Sequence, residues 1–238
     1  MNQDTRPYRY YDLVMALFVT VLLISNLLSS AKIIDLKMSL GPVPLAFDAG
    51  TLVFPISYIF GDVLTEVYGY RRSRRVIWAG FGANALMGFF VWFAGILPGE
   101  AEWSSYAGQE AYDAILGGVS GLIVASLIAY FLGEFSNSYV LAKMKVWTNG
   151  RFLWTRTIGS TLVGQAVDTT AFMLIATALG VFPPEILVSL IVTNYILKVG
   201  FEALLTPLTY RVVNTLKAVE NEDYFDRYTD FNPFKLSV

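Results

Sequence analysis

Apolar residues run through this chain in blocks of about twenty, and the breaks between blocks carry most of its charge. A bilayer core of about 30 Å needs roughly 20 mostly apolar residues in a helix, so each block bounded by charge, Gly or Pro is a candidate span. Six emerge: Tyr11 to Ser30, Gly50 to Tyr68, Val76 to Leu97, Ala114 to Val140, Thr157 to Phe182 and Glu185 to Val213. The first follows Arg6, Pro7 and Arg9 and is too long, and too weakly polar at its end, for a cleaved signal peptide, which makes it a retained helix. The pattern predicts an all-α integral membrane protein. Its transport domain of six transmembrane helices would cover 1–214, and a polar, acidic cytoplasmic tail would cover 215–238.

Two breaks have character of their own. Lys32 to Asp48 holds Gly41, Pro42 and Pro44 among alternating apolar residues, which reads as a short outer hairpin or lid between helices 1 and 2. Glu100, Glu102, Trp103, Tyr106, Glu110 and Asp113 make an acidic, aromatic stretch suited to the outer interface. The two halves show no self-similarity by eye. A three-plus-three arrangement of the helices would have to be inverted in the membrane.

Basic residues decide the orientation, because positively charged loops stay in the cytoplasm. With both termini inside, the cytoplasmic segments hold Arg6, Arg9, Arg71, Arg72, Arg74, Arg75, Lys143, Lys145, Arg151, Arg156, Arg211, Lys217, Arg227 and Lys235. The outer loops hold only Lys32 and Lys37, and Lys198 falls inside the sixth span. The bias predicts a multi-pass protein with an even number of spans and both the N- and C-termini cytoplasmic.

Composition narrows the chemistry. At 55% hydrophobic, 15% charged and a mean hydropathy of +0.53, the chain is too apolar for an ordinary soluble domain. A formal net charge of −2 offers no basic excess, so nucleic acid is not an expected partner; membrane lipid is. Neither cysteine nor histidine occurs. That removes disulfides, thiolate nucleophiles, histidine bases and the usual zinc ligands, so no metal site, cofactor or enzyme activity is expected.

The informative residues are polar groups that do not belong in lipid. An ionisable side chain at mid-bilayer costs at least about 2.5 to 3.5 kcal/mol, so it normally faces a partner or a wet cavity. Helix 2 carries Asp62 and Glu66 on one face, one turn apart. Helix 1 carries Asn26, helix 3 Asn84, helix 4 Glu134 and Asn137, and helix 5 Gln165 and Asp168. Helix 6 lines a stripe with Asn194, Lys198 and Glu202. Five carboxylates against one lysine leave the interior acidic unless some are protonated, which suits either a cationic cargo or a proton-linked cycle. Packing between helices, or a pair such as Lys198 with Asp168 or Glu202, explains any one of these residues; a polar stripe on at least four helices describes the lining of a path. Glu66 stands apart, since its nearness to Arg71 and Arg72 suits a salt bridge at the cytoplasmic end. Pro55 and Pro207 are candidates for kinks.

Several segments carry a resemblance. Ser25-Asn26-Leu27, Phe47-Asp48-Ala49-Gly50-Thr51, Gly61-Asp62-Val63-Leu64-Thr65-Glu66-Val67-Tyr68-Gly69-Tyr70 followed by Arg71 and Arg72, Gly164-Gln165-Ala166-Val167-Asp168-Thr169, Lys198-Val199 with Glu202, and Asp230-Phe231-Asn232-Pro233-Phe234 together resemble the queuosine precursor transporter family, also called the vitamin uptake transporter family. The resemblance covers essentially the whole chain. It implies an inner-membrane importer of 7-cyano-7-deazaguanine and 7-aminomethyl-7-deazaguanine. A 7-deazaguanine base would suit the lining, because carboxylates and amides read its guanine-like edge while aromatic rings stack on its faces. On this reading Asp168 and Gln165 hold the base edge with Asn26 or Asn84, Asp62 or Glu134 adds an acidic contact, and Asn194 completes the substrate set. Lys198 with Glu202 would form an internal pair that resets during alternating access, with Glu66 among the coupling groups.

Other readings stay open. A membrane subunit serving a separate ATP-driven module is also a small six-helix protein, and another small heterocycle or vitamin would fit a similar lining. An intramembrane enzyme would have only carboxylates to work with, and their spacing forms no compact dyad in sequence. Six helices enclose a path with little spare wall, which suits a homodimer.

Overall fold

The computed structural model describes residues 8–117 and 119–235. Arg6 of the charge tally, Pro7, and the last three residues of the tail lie outside them. The chain is mostly helical: α1 Tyr11–Ala31, α2 Phe54–Tyr68, α3 Tyr70–Gly95, two short pieces α4 Ala101–Tyr106 and α5 Gly108–Tyr112, then α6 Val119–Trp147, α7 Leu153–Ala178 and α8 Leu187–Glu220. Between α1 and α2 stands the expected hairpin, β1 Ile33–Leu40 paired antiparallel with β2 Val43–Asp48.

Among the described residues, five helical segments are long and apolar enough to cross a membrane: α1, α3, the stretch ending in α6, α7 and the stretch containing α8. Only 22% to 39% of the residues in their most apolar windows are buried within the protein, so their outer faces are apolar surface that lipid, not water, can solvate. The chain is therefore a multi-pass membrane protein. The second predicted helix exists but differs in kind. A 3₁₀ turn over Ala49–Leu52 takes up the start of its apolar block, and α2 has 15 residues, about 22 Å at 1.5 Å per residue. Twelve of those residues are buried, so α2 is wrapped by its neighbours where the long helices face outward. Pro55 sits in its first turn, where a missing N–H leaves no helical bond unmade, so it starts α2 and does not kink it. Pro207, by contrast, lies inside α8.

Two apolar clusters set the helices in place. The larger joins Phe18 and Leu22 of α1, Val63, Leu64 and Val67 of α2, Val76 and Ile77 of α3, and Tyr130 of α6. The smaller, beside the hairpin, joins Ala46 of β2, Leu122 of α6, Ala176 of α7 and Leu190 of α8. Between α6 and α7 the backbones come close: a Cβ at Gly133 would lie 2.5 Å from the Asp168 Cβ, and one at Gly164 would lie 2.8 Å from the Asn137 Cβ. Small residues permit this approach, as they do in membrane bundles generally.

Both described ends of the chain gather at the end of the bundle opposite the hairpin. The backbone N–H groups of Arg9 and Tyr10 donate to the Glu220 carboxylate at 3.0 and 2.7 Å. After α8 the tail folds back over the starts and ends of neighbouring helices. Asp226 accepts from the Tyr70 N–H at 3.0 Å, Arg74 donates to the carbonyls of Asp230 and Asn232 at 3.0 and 2.6 Å, and the Trp78 indole donates to the Pro233 carbonyl at 2.8 Å. Gly69, the single residue between α2 and α3, has φ +84°, and a side chain there would collide with the Tyr224 ring at 2.2 Å. The tight reversal and the tail that covers it depend on one glycine.

Candidate functional site

A small pocket opens inside the hairpin end of the bundle, with a cavity volume of about 30 Å³. Ser25, Asn26 and Ser29 of α1, Asp48 and Thr51 at the root of the hairpin, Phe54 of α2, Ser126 of α6, Asp168 and Phe172 of α7 and Lys198 of α8 line it. That is room for about one water, so a larger ligand enters only if the walls move apart.

Each wall is held by its neighbours. Asp48 ends β2 and is buried, with one carboxylate oxygen accepting from Ser29 Oγ at 2.5 Å and the other from Thr51 Oγ1 at 3.1 Å. Thr51 Oγ1 also lies 2.5 Å from Asn194 Oδ1, which ties the hairpin root to α8. Ser25 Oγ donates to the Gly50 carbonyl at 3.0 Å, and a Cβ on Gly50 would come within 2.1 Å of Ser29 Oγ, so α1 lies directly on this turn. Asn26 donates to Asn84 Oδ1 at 3.0 Å and accepts from Ser126 Oγ at 2.6 Å, joining α1, α3 and α6. Across the pocket Lys198 Nζ donates to Asp168 Oδ2 at 3.1 Å while lying 3.9 Å from the centre of the Phe54 ring. A buried ammonium with a carboxylate and an aromatic face is satisfied on both sides.

Of the residues predicted for the site, the structure brings Asn26, Asp168 and Lys198 to the pocket wall. Asn84 and Asn194 stand behind the wall and brace Asn26 and Thr51. Asp62, Glu134, Gln165 and Glu202 are not on that wall. They lie further toward the tail end: Asp62 is eight residues, about 12 Å, along α2 from Phe54, and Glu202 is one turn along α8 from Lys198. All four are buried, with relative exposures of 0% for Asp62 and Gln165, 3% for Glu134 and 1% for Glu202. Asp62 accepts from Asn137 Nδ2 at 3.2 Å, and Gln165 accepts from Thr169 Oγ1 at 3.2 Å. Tyr58 stands between the two groups, in electrostatic reach of Asp168, Glu134, Asp62 and Glu202.

Of the two partners expected for Lys198, the structure gives it Asp168 and not Glu202, and a second pairing comes out differently. Glu66 is indeed a salt-bridge residue, but its cations come from other helices than the Arg71 and Arg72 expected. Arg156 of α7 binds it in a two-pronged contact at 2.7 and 2.7 Å, Lys217 of α8 lies at 2.6 Å and Lys145 of α6 at 3.5 Å. Asp223 of the tail closes the network, 2.6 Å from Lys145 and 2.8 Å from Lys217.

Sequence reasoning passed over Asp48, Thr51, Ser25, Ser29, Phe54, Ser126 and Phe172 as site residues. Asp48 carried the clearest signal, a lone carboxylate between apolar Phe47 and Ala49 where a solvated hairpin would have no reason to bury it. The two phenylalanines carried none, since aromatic residues in a span read as lipid-facing or packing groups.

The geometry can be set beside known proteins. Residues 48–212 match the family model described as "Putative vitamin uptake transporter". The chain is 28% identical over 194 residues to the "Probable queuosine precursor transporter" of Bacillus subtilis (strain 168), covering 81% of this chain and 79% of that one. It is 25% identical over 178 residues to the "Queuosine precursor transporter" of Escherichia coli (strain K12), covering 74% and 73%. A "Probable queuosine precursor transporter" of Haemophilus influenzae is 23% identical over 130 residues, 53% of this chain and 50% of the relative. No solved structure matches significantly. The matched segment opens at Asp48 and takes in most of the pocket wall and the whole carboxylate group beneath it, and on that match this multi-pass membrane protein belongs to the vitamin uptake transporter family.

Proposed function

We propose that the chain imports queuosine precursors, 7-cyano-7-deazaguanine and 7-aminomethyl-7-deazaguanine, across the inner membrane as a secondary carrier. The observation that carries this reading is the pocket: a donor and an acceptor side by side, Lys198 and Asp168, next to two phenylalanine rings. A guanine-like edge presents an acceptor carbonyl beside N–H donors, so it can bond the lysine and the carboxylate together while Phe54 or Phe172 covers its face. Asp48, on another wall, supplies the acidic contact that an aminomethyl cation needs. The names of the relatives support the same cargo.

In this reading α2 joins the five long helices to make six crossings, arranged as an inverted three-plus-three, with 1–214 as the transport domain. The end of the bundle holding the tail is cytoplasmic, in accord with the basic bias, and the pocket faces outward. Alternating access then opens the cytoplasmic end, now fastened around Glu66. A homodimer would seat the exposed apolar face of one copy on another.

Uptake of labelled 7-cyano-7-deazaguanine by cells carrying Asp168→Asn tests the assignment. With the protein still present in the membrane, uptake should fall at least about tenfold, as expected for a buried polar contact worth 1.4 kcal/mol or more. Undiminished uptake would remove the pocket from the proposal.

A further inference from the structure

Beneath the pocket, five buried acceptor oxygens have no hydrogen-bond donor: Asp62 Oδ2, Glu134 Oε1, both carboxylate oxygens of Glu202 and Asn137 Oδ1. Their residues are 0% to 3% exposed. The Asn137 amide is aimed into this group, because its Nδ2 is already bound to Asp62 Oδ1. An acceptor that is buried without a donor costs free energy, and an unpaired buried carboxylate costs more. The shortage has one chemical remedy, which is more N–H or O–H groups. Gln165 on α7 has an unpartnered Nε2 with two donors at most, and the unpartnered hydroxyls of Ser57 on α2 and Thr161 on α7 add one each, still fewer than the oxygens to be met.

The surrounding charges do not supply the remedy either. On α2 the group is faced by Tyr58 and, one turn on, by Glu66, whose charge is already met by Arg156, Lys145 and Lys217. From α6 it is faced by Tyr130, from α7 by Asp168 and from α8 by Lys198. From α1 the packed neighbour is the Phe18 ring, apolar, 3.7 Å from where a Gly61 Cβ would lie. Among the described residues Lys198 is the one cation in reach, and it is bound to Asp168. Among the described residues, no three acidic side chains are close enough together to hold a metal ion. The smallest cation, which needs a single oxygen, remains.

We propose that Asp62, Glu134 and Glu202 form a proton-binding site that couples entry of the heterocycle to entry of a proton, an inference that rests on the carrier reading above. The step is a protonation: a carboxylate oxygen gains an O–H bond from water on one side and returns that proton to water on the other, with no electron transferred. The proton gained removes one unpaired charge from the group.

Coupling follows from α8, which carries Lys198 at the pocket and Glu202 one turn below it. While the site holds its proton, Lys198 stays with Asp168 and the donor and acceptor that meet the base edge are intact, as in this structure. When the proton leaves, the carboxylates draw the ammonium down, Asp168 loses its partner and the base loses its seat. Proton and base are therefore bound together and released together.

Purified protein in liposomes, with labelled 7-cyano-7-deazaguanine as probe and the membrane potential clamped, distinguishes the possibilities. For one proton per base, an inward proton gradient should concentrate the label about tenfold per pH unit. In Asp62→Asn, Glu134→Gln or Glu202→Gln, the ratio of gradient-driven accumulation to label counterflow should fall to near onefold in at least one variant. Wild-type counterflow with no gradient-driven accumulation would overturn the proton proposal and leave the carrier reading standing. No counterflow in wild type would remove the carrier reading and this proposal with it. Accumulation unchanged in all three variants would overturn the assignment to this site.

Discussion

One helical turn of α2 separates two carboxylates that have been treated in opposite ways. Glu66 is completely buried and fully provided for: Arg156 grips both of its oxygens, and Lys217 and Lys145 add their charges. Asp62 is just as buried but has one amide for a partner, with Glu134 and Glu202 near it and no cation of its own. The Glu66 network joins α2, α6, α7 and α8 and reaches the tail through Asp223. The Asp62 group makes one such link, from α2 to Asn137 of α6. Where every charge is answered the chain has built a fastening; where oxygens are left without donors it holds buried acidic groups at a cost in stability.

Removing one carboxylate from each region breaks this comparison most sharply. Glu66→Gln strands a guanidinium and two ammonium groups, and should cost about 3–5 kcal/mol. Glu202→Gln removes an unpaired charge and should leave stability within about 1 kcal/mol of the parent protein. Unfolding in detergent measures both, and equal losses would erase the distinction. A smaller effect is expected where α6 packs on α7 beside the pocket. Gly133→Ala drives a methyl group against Asp168 and should cost about 1–3 kcal/mol, while Gly82→Ala, with open space around it, should cost nothing measurable.

The smallest effect sits at the rim of the fastening. Partial burial pushes the Asp223 carboxyl up, but hydrogen bonds from Lys145 and Lys217 outweigh it and hold the group below its ordinary value. A carboxylate depressed in the folded state stabilises above its unfolded value, near pH 4, and loses that stabilisation as pH falls through the folded value. Because Asp223 is half exposed, Asp223→Asn should cost less than about 1 kcal/mol at pH 7. Melting curves taken at falling pH should show wild type and variant converging below about pH 4.

Hydrophobic patterning made the long helices legible and misjudged where they stop. Apolar blocks mark the membrane, whereas the helix continues until something ends it. α3 starts at Tyr70, six residues before its block, because Arg71 to Arg75 continue the helix outside lipid. α8 runs on to Glu220 and ends where Asn221 turns to φ +49°. The hairpin was legible from its Gly and Pro residues, and the brevity of α2 was not, since nothing local says that Asp48 and Thr51 will be drawn back against α1 and α8. The same reason divides the site. Intramembrane charge singled out Asp168 and Lys198, but not which carboxylates share a cavity, and the pocket's serines and phenylalanines are ordinary residues until the fold brings them together.

The shortness of α2 also bears on how this protein is made. A segment of 15 residues with two carboxylates has little reason to leave the insertion machinery for lipid by itself, as each acid near the centre of a helix disfavours insertion by about 2.5 to 3.5 kcal/mol. Only Gly69 separates it from α3, which is apolar enough to insert, so the two must enter as one unit. Arg156 and Lys217, which answer Glu66, are synthesised about 90 and 150 residues later. Until they arrive α2 is held without its counterions, and biogenesis of the whole protein waits on its last helix.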